Sequence, residues 1–188
     1  MKIGIDLDDV VFEFTRDFLR EGNKFFKKNL SFEDIHNYNF KEHFEVTLEE
    51  VLSFLENLVK NGFCINHSLC EGAKDSIFTL AEKHKILFIT SRVFKSGTEE
   101  SLNKHFQGIN YKLIFSSNSY AKTLGKSKGD ICLEEGVSIL IEDSKEYAEE
   151  CASKGIKVFL IDKPWNKNYI GSKNIIKVKN WKEVLEKL

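Results

Sequence analysis

Three aspartates occur within four residues near the start of the chain, directly after a short apolar run. The stretch reads IGIDLDDV, and its acids are Asp6, Asp8 and Asp9. A carboxylate at the end of a buried strand must be hydrated, paired or bound to a cation, because burying it alone costs several kcal/mol. The first question that this sequence raises is therefore what neutralises the cluster.

Polar side chains also follow most of the other apolar runs. They are Thr90, Ser91, Arg92, Ser116, Ser117, Glu142, Asp143, Ser144 and Asp162. In an open α/β sheet, ligands bind beyond the carboxyl ends of the strands, near the point where the strand order reverses. Acids that meet across adjacent strand ends would form an oxygen-rich pocket for a hard cation such as Mg²⁺, which also accepts phosphate oxygens.

Six short apolar runs could be the strands that position these residues. They span residues 2–6, 85–90, 111–115, 137–141, 157–161 and 174–178. Their hydrophobicity is continuous rather than alternating, which is typical of strands covered on both faces in a parallel sheet. Helical spacing occurs in the segments between and after them, over residues 97–106, 129–135, 144–154 and 180–188. The fold class predicted is α/β, a Rossmann-like parallel sheet flanked by helices.

Residues 7–84 interrupt this rhythm, because they contain no good strand candidate. We predict a helix over residues 10–28, a short segment capped by Ser31, and a helix from a capping box at Thr47 to about Asn61. Nine phenylalanines between residues 14 and 63 indicate a small helical core, and two or three of them are candidates for contact with a substrate ring. The predicted division is a core domain of residues 1–14 and 76–188, and a helical cap of residues 15–75.

The bulk composition excludes several partner classes. The 28 basic and 29 acidic residues give a net charge of −1 and are scattered without long blocks of one sign, which argues against a nucleic-acid polymer or a membrane surface as partner. No apolar run approaches the roughly 20 residues of a membrane span, and the acids after residue 5 exclude a signal-peptide core. Neither the four cysteines nor the five histidines show metal-ligand spacing, so we expect packing roles and a cytoplasmic location.

Four short motifs, taken together, resemble the haloacid dehalogenase (HAD) superfamily. IGIDLDDVV is similar to its first motif, D-x-D-x-[TV] after an apolar strand, and LFITSR to its second, a strand that ends in Thr or Ser. Lys128 in KSKGDIC resembles the lysine of the third motif, and SILIEDS the acidic fourth. The helical insertion after the first motif, the Thr-Ser pair and the chain length are most similar to the 5'(3')-deoxyribonucleotidase branch, the cytosolic type C nucleotidases.

The resemblance implies a magnesium-dependent phosphomonoesterase acting on a small phosphorylated molecule, most simply a nucleoside monophosphate. Asp6 would attack phosphorus to form an aspartyl-phosphate, and Asp8 would protonate the leaving oxygen and later activate water. Mg²⁺ would lie between the carboxylates of Asp6 and Asp143 and the backbone carbonyl of Asp8. The phosphate oxygens would be held by three side chains, namely Thr90, Ser91 and Lys128.

Several assignments have alternatives that the sequence leaves open. Lys126 competes with Lys128 as the phosphate-binding lysine. Glu142 is a candidate metal ligand or a supporting group acting through water or Ser144, and Arg92 is a candidate for a second substrate group or a solvated ion pair. A position near a helix N-terminus, favourable to negative charge, accounts for Asp9.

Other functional classes fit the pattern less well. A phospho-receiver domain carries its phosphorylated aspartate on a middle strand, whereas the middle strands here end in ITSR and FSSN. A dehalogenase of this superfamily uses no magnesium and lacks the second aspartate, here Asp8. The remaining alternatives are a HAD phosphatase for another small metabolite and a catalytically inactive HAD-like phosphate-binding protein. The oligomeric state is open.

Overall fold

A six-stranded, fully parallel sheet forms the centre of the computed structural model, which describes all 188 residues. The strands are β1 Lys2–Ile5, β2 Lys85–Thr90, β3 Tyr111–Phe115, β4 Ile139–Glu142, β5 Lys157–Ile161 and β6 Ile175–Val178. Their spatial order is β3-β2-β1-β4-β5-β6, so β1 lies between β2 and β4. All six predicted strands are confirmed to within two residues at each end. The strand order reverses at β1: β2 and β3 extend the sheet on one side of it and β4, β5 and β6 on the other. The strands β1 and β4 pair in parallel, with Ile3 opposite Ile139.

Eight α-helices connect or flank these strands. They are α1 Phe14–Phe26, α2 Phe40–Phe44, α3 Leu48–Lys60, α4 Ala73–Ala81, α5 Thr98–His105, α6 Lys128–Glu135, α7 Lys145–Ser153 and α8 Trp181–Lys187. Three short 3₁₀ helices span Phe32–Asp34, Phe63–Ile65 and Pro164–Asn166. The predicted capping box is present at the start of α3, where the Thr47 hydroxyl accepts from Glu50 N and the Glu50 carboxylate accepts from Thr47 N.

The two faces of the sheet carry separate hydrophobic cores. Side chains alternate along each strand, so Ile86 and Phe88 of β2 face α4, α5 and α8, whereas Leu87 and Ile89 face α6 and α7. This burial on both faces explains why the strands read as continuous apolar runs. None of the helices combines the length and the apolar character that crossing a membrane requires.

A third core lies among the elements between β1 and β2, together with one residue from beyond β5. Its buried members are Phe18, Leu19, Ile35, Phe40, Phe44, Val51, Phe54, Phe63 and Trp165. Most of the predicted cap phenylalanines therefore pack together, while Phe25 is 61% exposed. We refer to residues 15–75 as the cap, a division that stays a prediction. The helix α4 crosses the boundary proposed between residues 75 and 76. Ala73 and Ile77, which lie on either side of that boundary, both pack in the core on the face of the sheet covered by α4, α5 and α8.

The helix predicted to begin near Val10 begins instead at Phe14, so this boundary was wrong. The N–H groups of Val11 and Phe12 both donate to Leu7 O, which closes a tight turn directly after β1. Asp9 takes a left-handed conformation within that turn, with φ of +59°. Apolar spacing alone did not reveal the turn, because its side chains are as buried as those of a helix.

A close approach of α1 to α2 makes Gly22 a sensitive position in the cap. A Cβ atom added there would lie 2.5 Å from Phe44 Cζ, whose ring is fully buried. We expect Gly22→Ala to lower the free energy of unfolding by about 1–3 kcal/mol, because overpacking outweighs the gain in helix propensity. Gly129→Ala is the matched control, since its Cβ would meet only the flexible side chains of Glu150 and Lys154. Urea denaturation would contradict this account if both variants were equally stable.

Candidate active site

The carboxyl ends of β1 and β4 bring three acids into one cluster. Asp6 follows β1, Glu142 ends β4 and Asp143 comes next, and one carboxylate oxygen of each lies within 4.8 Å of the others. All three residues are buried. The cluster forms here because β1 and β4 are parallel neighbours, so their carboxyl ends share one edge of the sheet.

Lys128 lies between two of these acids. Its Nζ is 2.7 Å from both Asp6 Oδ1 and Glu142 Oε2, and the side chain is 1% exposed. The placement follows from the start of α6, because Ser127 caps that helix and accepts from Asp130 N at 3.2 Å. Lys126 lies outside the cluster and pairs on the surface with Glu134. Of the two lysines that the sequence left open, Lys128 is the one at the acidic cluster.

The cluster contains more carboxyl groups than its single ammonium can neutralise. Burial raises the pKa of Asp6 to about 8, although Lys128 opposes this rise. Burial and repulsion from Glu142 raise the pKa of Asp143 well above its usual range. Burial disfavours the charged form of Lys128, yet Asp6 and Glu142 outweigh it and raise the pKa of the lysine. Three carboxylates thus face one ammonium, a deficit that a divalent cation would offset.

Asp143 is held from its other side by two aromatic residues that the sequence analysis did not identify. Trp165 Nε1 donates to Asp143 Oδ2 at 2.9 Å, and the Tyr38 hydroxyl contacts the same oxygen. Trp165 follows the fifth strand closely, so the rule about strand ends could have drawn attention to it. Tyr38 belongs to the cap, whose orientation no pattern in the sequence fixes.

Asp9 has a structural environment distinct from that of its two neighbours. It is fully buried and accepts from the backbone N–H of Thr15 at 3.0 Å and from the Thr15 hydroxyl at 2.6 Å. Burial raises the pKa of Asp9 to about 7, against the stabilising effect of Lys163 and Thr15. Asp9 itself lies in the turn before α1 rather than at the first residues of the helix, but its carboxylate accepts from the N–H of Thr15, the second residue of α1.

Asp8 forms an ion pair with Arg92. The guanidinium Nη2 and Nε donate to Asp8 Oδ1 at 2.6 and 3.0 Å, and Nη1 donates to the Thr98 hydroxyl. Of the two roles left open for Arg92 the ion pair is observed, but it is largely buried rather than solvated, with side-chain exposures of 5% for Arg92 and 21% for Asp8. The pair brings together the ends of β1 and β2.

The two hydroxyl residues at the end of β2 differ in position. Thr90 is fully buried, and its Oγ1 accepts from Arg92 N at 3.3 Å. Ser91 lines the cavity above the acids, and its hydroxyl bonds Ser116 Oγ at 2.7 Å. Both lie at the same sheet edge as Asp6, but Thr90 is not among the residues that line the cavity.

A cavity of about 400 Å³ opens above the cluster, between the cap and the sheet edge. Its floor includes Asp6, Asp8, Lys128, Glu142 and Asp143. The wall opposite this floor is mostly apolar and comes from Phe14 and from the cap residues Tyr38, Phe40, Leu48, Val51, Leu52, Leu55 and Val59. Such a cavity can hold a small anion against the lysine while the cap contacts the remainder of the molecule.

The sequence was compared with models of known protein families. The profile described as "5' nucleotidase, deoxy (Pyrimidine), cytosolic type C protein" matches residues 1–188. The chain belongs to this cytosolic type C nucleotidase family. Membership makes it a phosphoric monoester hydrolase, and the resemblance drawn from the four motifs is confirmed. A phospho-receiver domain is accordingly excluded.

Relatives of this nucleotidase have low sequence identity to it, but the matches cover most of its length. Nucleotidase CA_C3379 of Clostridium acetobutylicum is 28% identical over 164 residues, which cover 86% of this chain and 80% of the relative. YqfW of Bacillus subtilis is 26% identical over 195 residues, covering 99% and 92% of the two chains.

Solved structures of HAD-superfamily hydrolases share the fold of this type C nucleotidase family member. The haloacid dehalogenase-like hydrolase SP0104 of Streptococcus pneumoniae superposes with a TM-score of 0.70 at 14% identity, covering 99% of this chain and 97% of its own. YfnB of Bacillus subtilis, solved bound to magnesium, gives a TM-score of 0.62 at 17% identity, with 100% and 97% coverage. The predicted fold class is thereby confirmed.

Proposed function

We propose that this protein is a magnesium-dependent phosphatase of nucleoside monophosphates that acts through an aspartyl-phosphate on Asp6. The observation that carries the proposal is the convergence of Asp6, Asp143 and Lys128 beneath one cavity, at the edge where β1 and β4 end. Phosphoryl transfer to a carboxylate requires a nucleophile, carboxylates that bind a divalent cation, and a lysine that binds the phosphate.

The residues present fit Mg²⁺ on two grounds. The donors are carboxylate oxygens, which Mg²⁺ prefers, and full ionisation of the three acids would leave two negative charges that Lys128 does not neutralise. Asp6 and Asp143 would hold the ion with their carboxylates, joined by the backbone carbonyl of Asp8. Glu142 is less available for direct ligation, because its two oxygens accept from Lys128 Nζ and Ser144 N. When bound, the ion would offset the repulsion between a carboxylate nucleophile and a phosphate dianion.

In the first step the carboxylate of Asp6 attacks phosphorus. The bond from phosphorus to the ester oxygen breaks, and Asp8 gives its proton to the departing oxygen. Lys128 and the Ser91 hydroxyl hold the phosphate oxygens, and Thr90 supports this edge through its bond to Arg92 N. Because Asp8 pairs with Arg92 as a carboxylate, it must leave that pair and take a proton from solvent before it can protonate the leaving oxygen.

In the second step water attacks the phosphorus of the aspartyl-phosphate. Asp8, ionised by the first step, takes the proton of the water, and the bond between phosphorus and Asp6 breaks to release inorganic phosphate. The cap above the cavity limits the access of bulk water to the intermediate. The cycle returns Asp6 and Asp8 to their starting protonation states.

The nucleotide as substrate is supported by family membership and by the cap wall. Phe14, Phe40 and Tyr38 line the cavity and offer aromatic surface to a base, while the apolar face of α3 closes one side. Another small phosphorylated metabolite is the alternative, since no side chain is assigned to base recognition. A cytoplasmic location is also proposed, on the ground that all four cysteines are buried and unpaired.

A substrate panel tests the proposal. We expect Mg²⁺-dependent release of phosphate from nucleoside monophosphates, with kcat/KM at least about tenfold above that for sugar phosphates of equal charge. Chelation of the metal should abolish turnover and its restoration should recover it. Equal rates on all phosphomonoesters would remove the nucleotide assignment, and no hydrolysis of any would favour a phosphate-binding protein.

The role of Asp8 predicts a dependence on the leaving group. Asp8→Asn should lower the rate on nucleoside monophosphates by about 10²–10⁴-fold, because their alkoxide leaving group needs a proton. With an aryl phosphate, whose phenolate leaves unaided, the first step should persist and phosphoenzyme should accumulate as a burst. Rapid-quench measurements compare the two substrates. If Asp8→Asn slowed phosphoenzyme formation equally with both substrates, general-acid catalysis by Asp8 would be contradicted.

A further inference from the structure

Two hydrogen-bond donors converge on one oxygen of Asp143. Trp165 Nε1 donates to Oδ2 at 2.9 Å, and the hydroxyl of Tyr38, which also lies 3.2 Å from Asp9 Oδ2, contacts the same atom. The other oxygen, Oδ1, accepts no hydrogen bond, and Asp143 lines the cavity. The carboxylate is therefore held through one oxygen only, which leaves the second available to a ligand.

Both donors are neutral groups, so they orient the carboxylate without cancelling its charge. Partners of this kind fix a metal-binding side chain in one rotamer and typically change metal affinity by about 10–100-fold. A lysine or arginine at the same oxygen would instead have removed the charge that attracts the cation. The chemistry of the two donors thus fits orientation better than charge compensation.

Trp165 is itself fixed by its neighbours. It lies in the 3₁₀ helix Pro164–Asn166, where Asn166 Nδ2 donates to Asp143 O at 2.8 Å and Ile161 O at 2.7 Å. Its ring packs against two aromatic rings from the cap, at 5.5 Å from Phe32 and 4.8 Å from Tyr38. The orientation of Asp143 is therefore linked to the seating of the cap.

We propose that Trp165 and Tyr38 are positioning residues for the cation site, which bind Oδ2 of Asp143 and leave Oδ1 free to serve as a ligand for a cation. Tyr38 makes this orientation depend on the cap, because it reaches Asp143 from the segment between α1 and α2. The inference rests on the magnesium site of the proposed function. It goes beyond that function by giving a role to two residues that touch neither phosphorus nor the leaving group.

The test measures cation binding directly on the protein without substrate. Trp165→Phe and Tyr38→Phe each remove one donor and keep an aromatic ring. The matched controls are Trp181→Phe, whose indole Nε1 donates to Val10 O at 2.9 Å within the core formed with α4, α5 and α8, and Tyr111→Phe, whose hydroxyl bonds Asn103. Mn²⁺ binding by electron paramagnetic resonance and Mg²⁺ binding by calorimetry give the dissociation constants, and thermal unfolding monitors the fold.

We expect the dissociation constant to rise by about tenfold in each positioning variant and to stay within about twofold in the controls. The Mg²⁺ concentration for half-maximal hydrolysis should rise by the same factor. Wild-type affinity in Trp165→Phe and Tyr38→Phe would overturn the inference, as would an equal loss in the controls. If the wild-type protein binds neither ion, the cation site itself is wrong. This result is distinct from failure of the positioning inference, in which the wild-type protein binds the ions and the variants bind them equally well.

Discussion

Replacement of Asp6 by Asn is expected to abolish turnover while making the folded protein more stable. The proposed nucleophile is lost, so kcat should fall by at least about 10⁴-fold on every phosphomonoester. The amide is nearly the same size as the carboxyl group and carries no charge. Lys128 keeps its second partner, Glu142, so the substitution leaves no buried charge without a counter-charge.

The gain in stability follows from the raised pKa of Asp6. An acid whose pKa is higher in the folded state binds its proton more tightly there, so its ionised form opposes folding at any pH above the unfolded value. Burial raises the pKa of Asp6 to about 8. Without divalent cations at neutral pH, we expect Asp6→Asn to raise the free energy of unfolding by on the order of 1 kcal/mol.

Kinetics, denaturation and trapping of the phosphoenzyme measure the two effects together. Quenched wild-type protein should carry phosphate on the peptide that contains Asp6, and the variant should carry none. Asp162→Asn is the matched control, because Asp162 follows β5 at the same sheet edge but pairs with Lys177 outside the cavity. Substantial turnover by Asp6→Asn would rule out the aspartyl-phosphate mechanism.

Lys128→Met is expected to destabilise the protein more than any other single change at the site. Removing the ammonium leaves Asp6 and Glu142 buried without their cation, and breaking a buried pair in this way costs about 3–5 kcal/mol. Hydrolysis should fall by on the order of 10²-fold or more, because the lysine is also the proposed phosphate-binding cation. Urea denaturation with and without Mg²⁺ measures the effect, and Mg²⁺ should restore part of the lost stability.

Lys126→Met provides the comparison that the sequence itself suggests. The Lys126 side chain is 63% exposed and its partner Glu134 is 54% exposed, so this substitution should change stability by no more than about 0.5 kcal/mol. The two lysines are two residues apart in the sequence. Ser127, the N-cap residue of α6, lies between them, so that Lys128 begins the helix at the acidic cluster while Lys126 lies on the surface. A larger effect at position 126 than at position 128 would contradict the assignment.

The sheet was predictable because its signals are local and repeated. Continuous apolar runs bounded by polar residues recur six times, and each predicted strand matches the structure closely. The start of α1 was not predictable in this way, because the tight turn at Leu7–Phe12 buries its side chains and imitates a helix in its pattern. Conformation at Asp9, where φ is positive, depends on the hydrogen bonds of the turn rather than on spacing.

For the site, the identities of the acids were readable but their partners were not. Asp6 and Asp143 could be placed at one sheet edge from strand positions alone, whereas the ion pair between Asp8 and Arg92 depends on which rotamers pack between β1 and β2. The contacts of Trp165 and Tyr38 with Asp143 join parts of the chain whose relative placement is tertiary. The roles of these side chains in catalysis stay predictions, to be decided by the variants described above.

The pairing of β1 with β4 has a consequence for biosynthesis. Ile3 of β1 is synthesised before its partner Ile139, which follows more than a hundred residues later, and loop closure over that length is entropically costly. A nascent chain that ends before Asp143 cannot assemble the three-carboxylate cluster, whatever the cation concentration. Until Glu142 and Asp143 have been synthesised, the emerging polypeptide does not bear the electrostatic repulsion of the three-acid cluster, which forms only when β1, β2 and β3 are already available to support it.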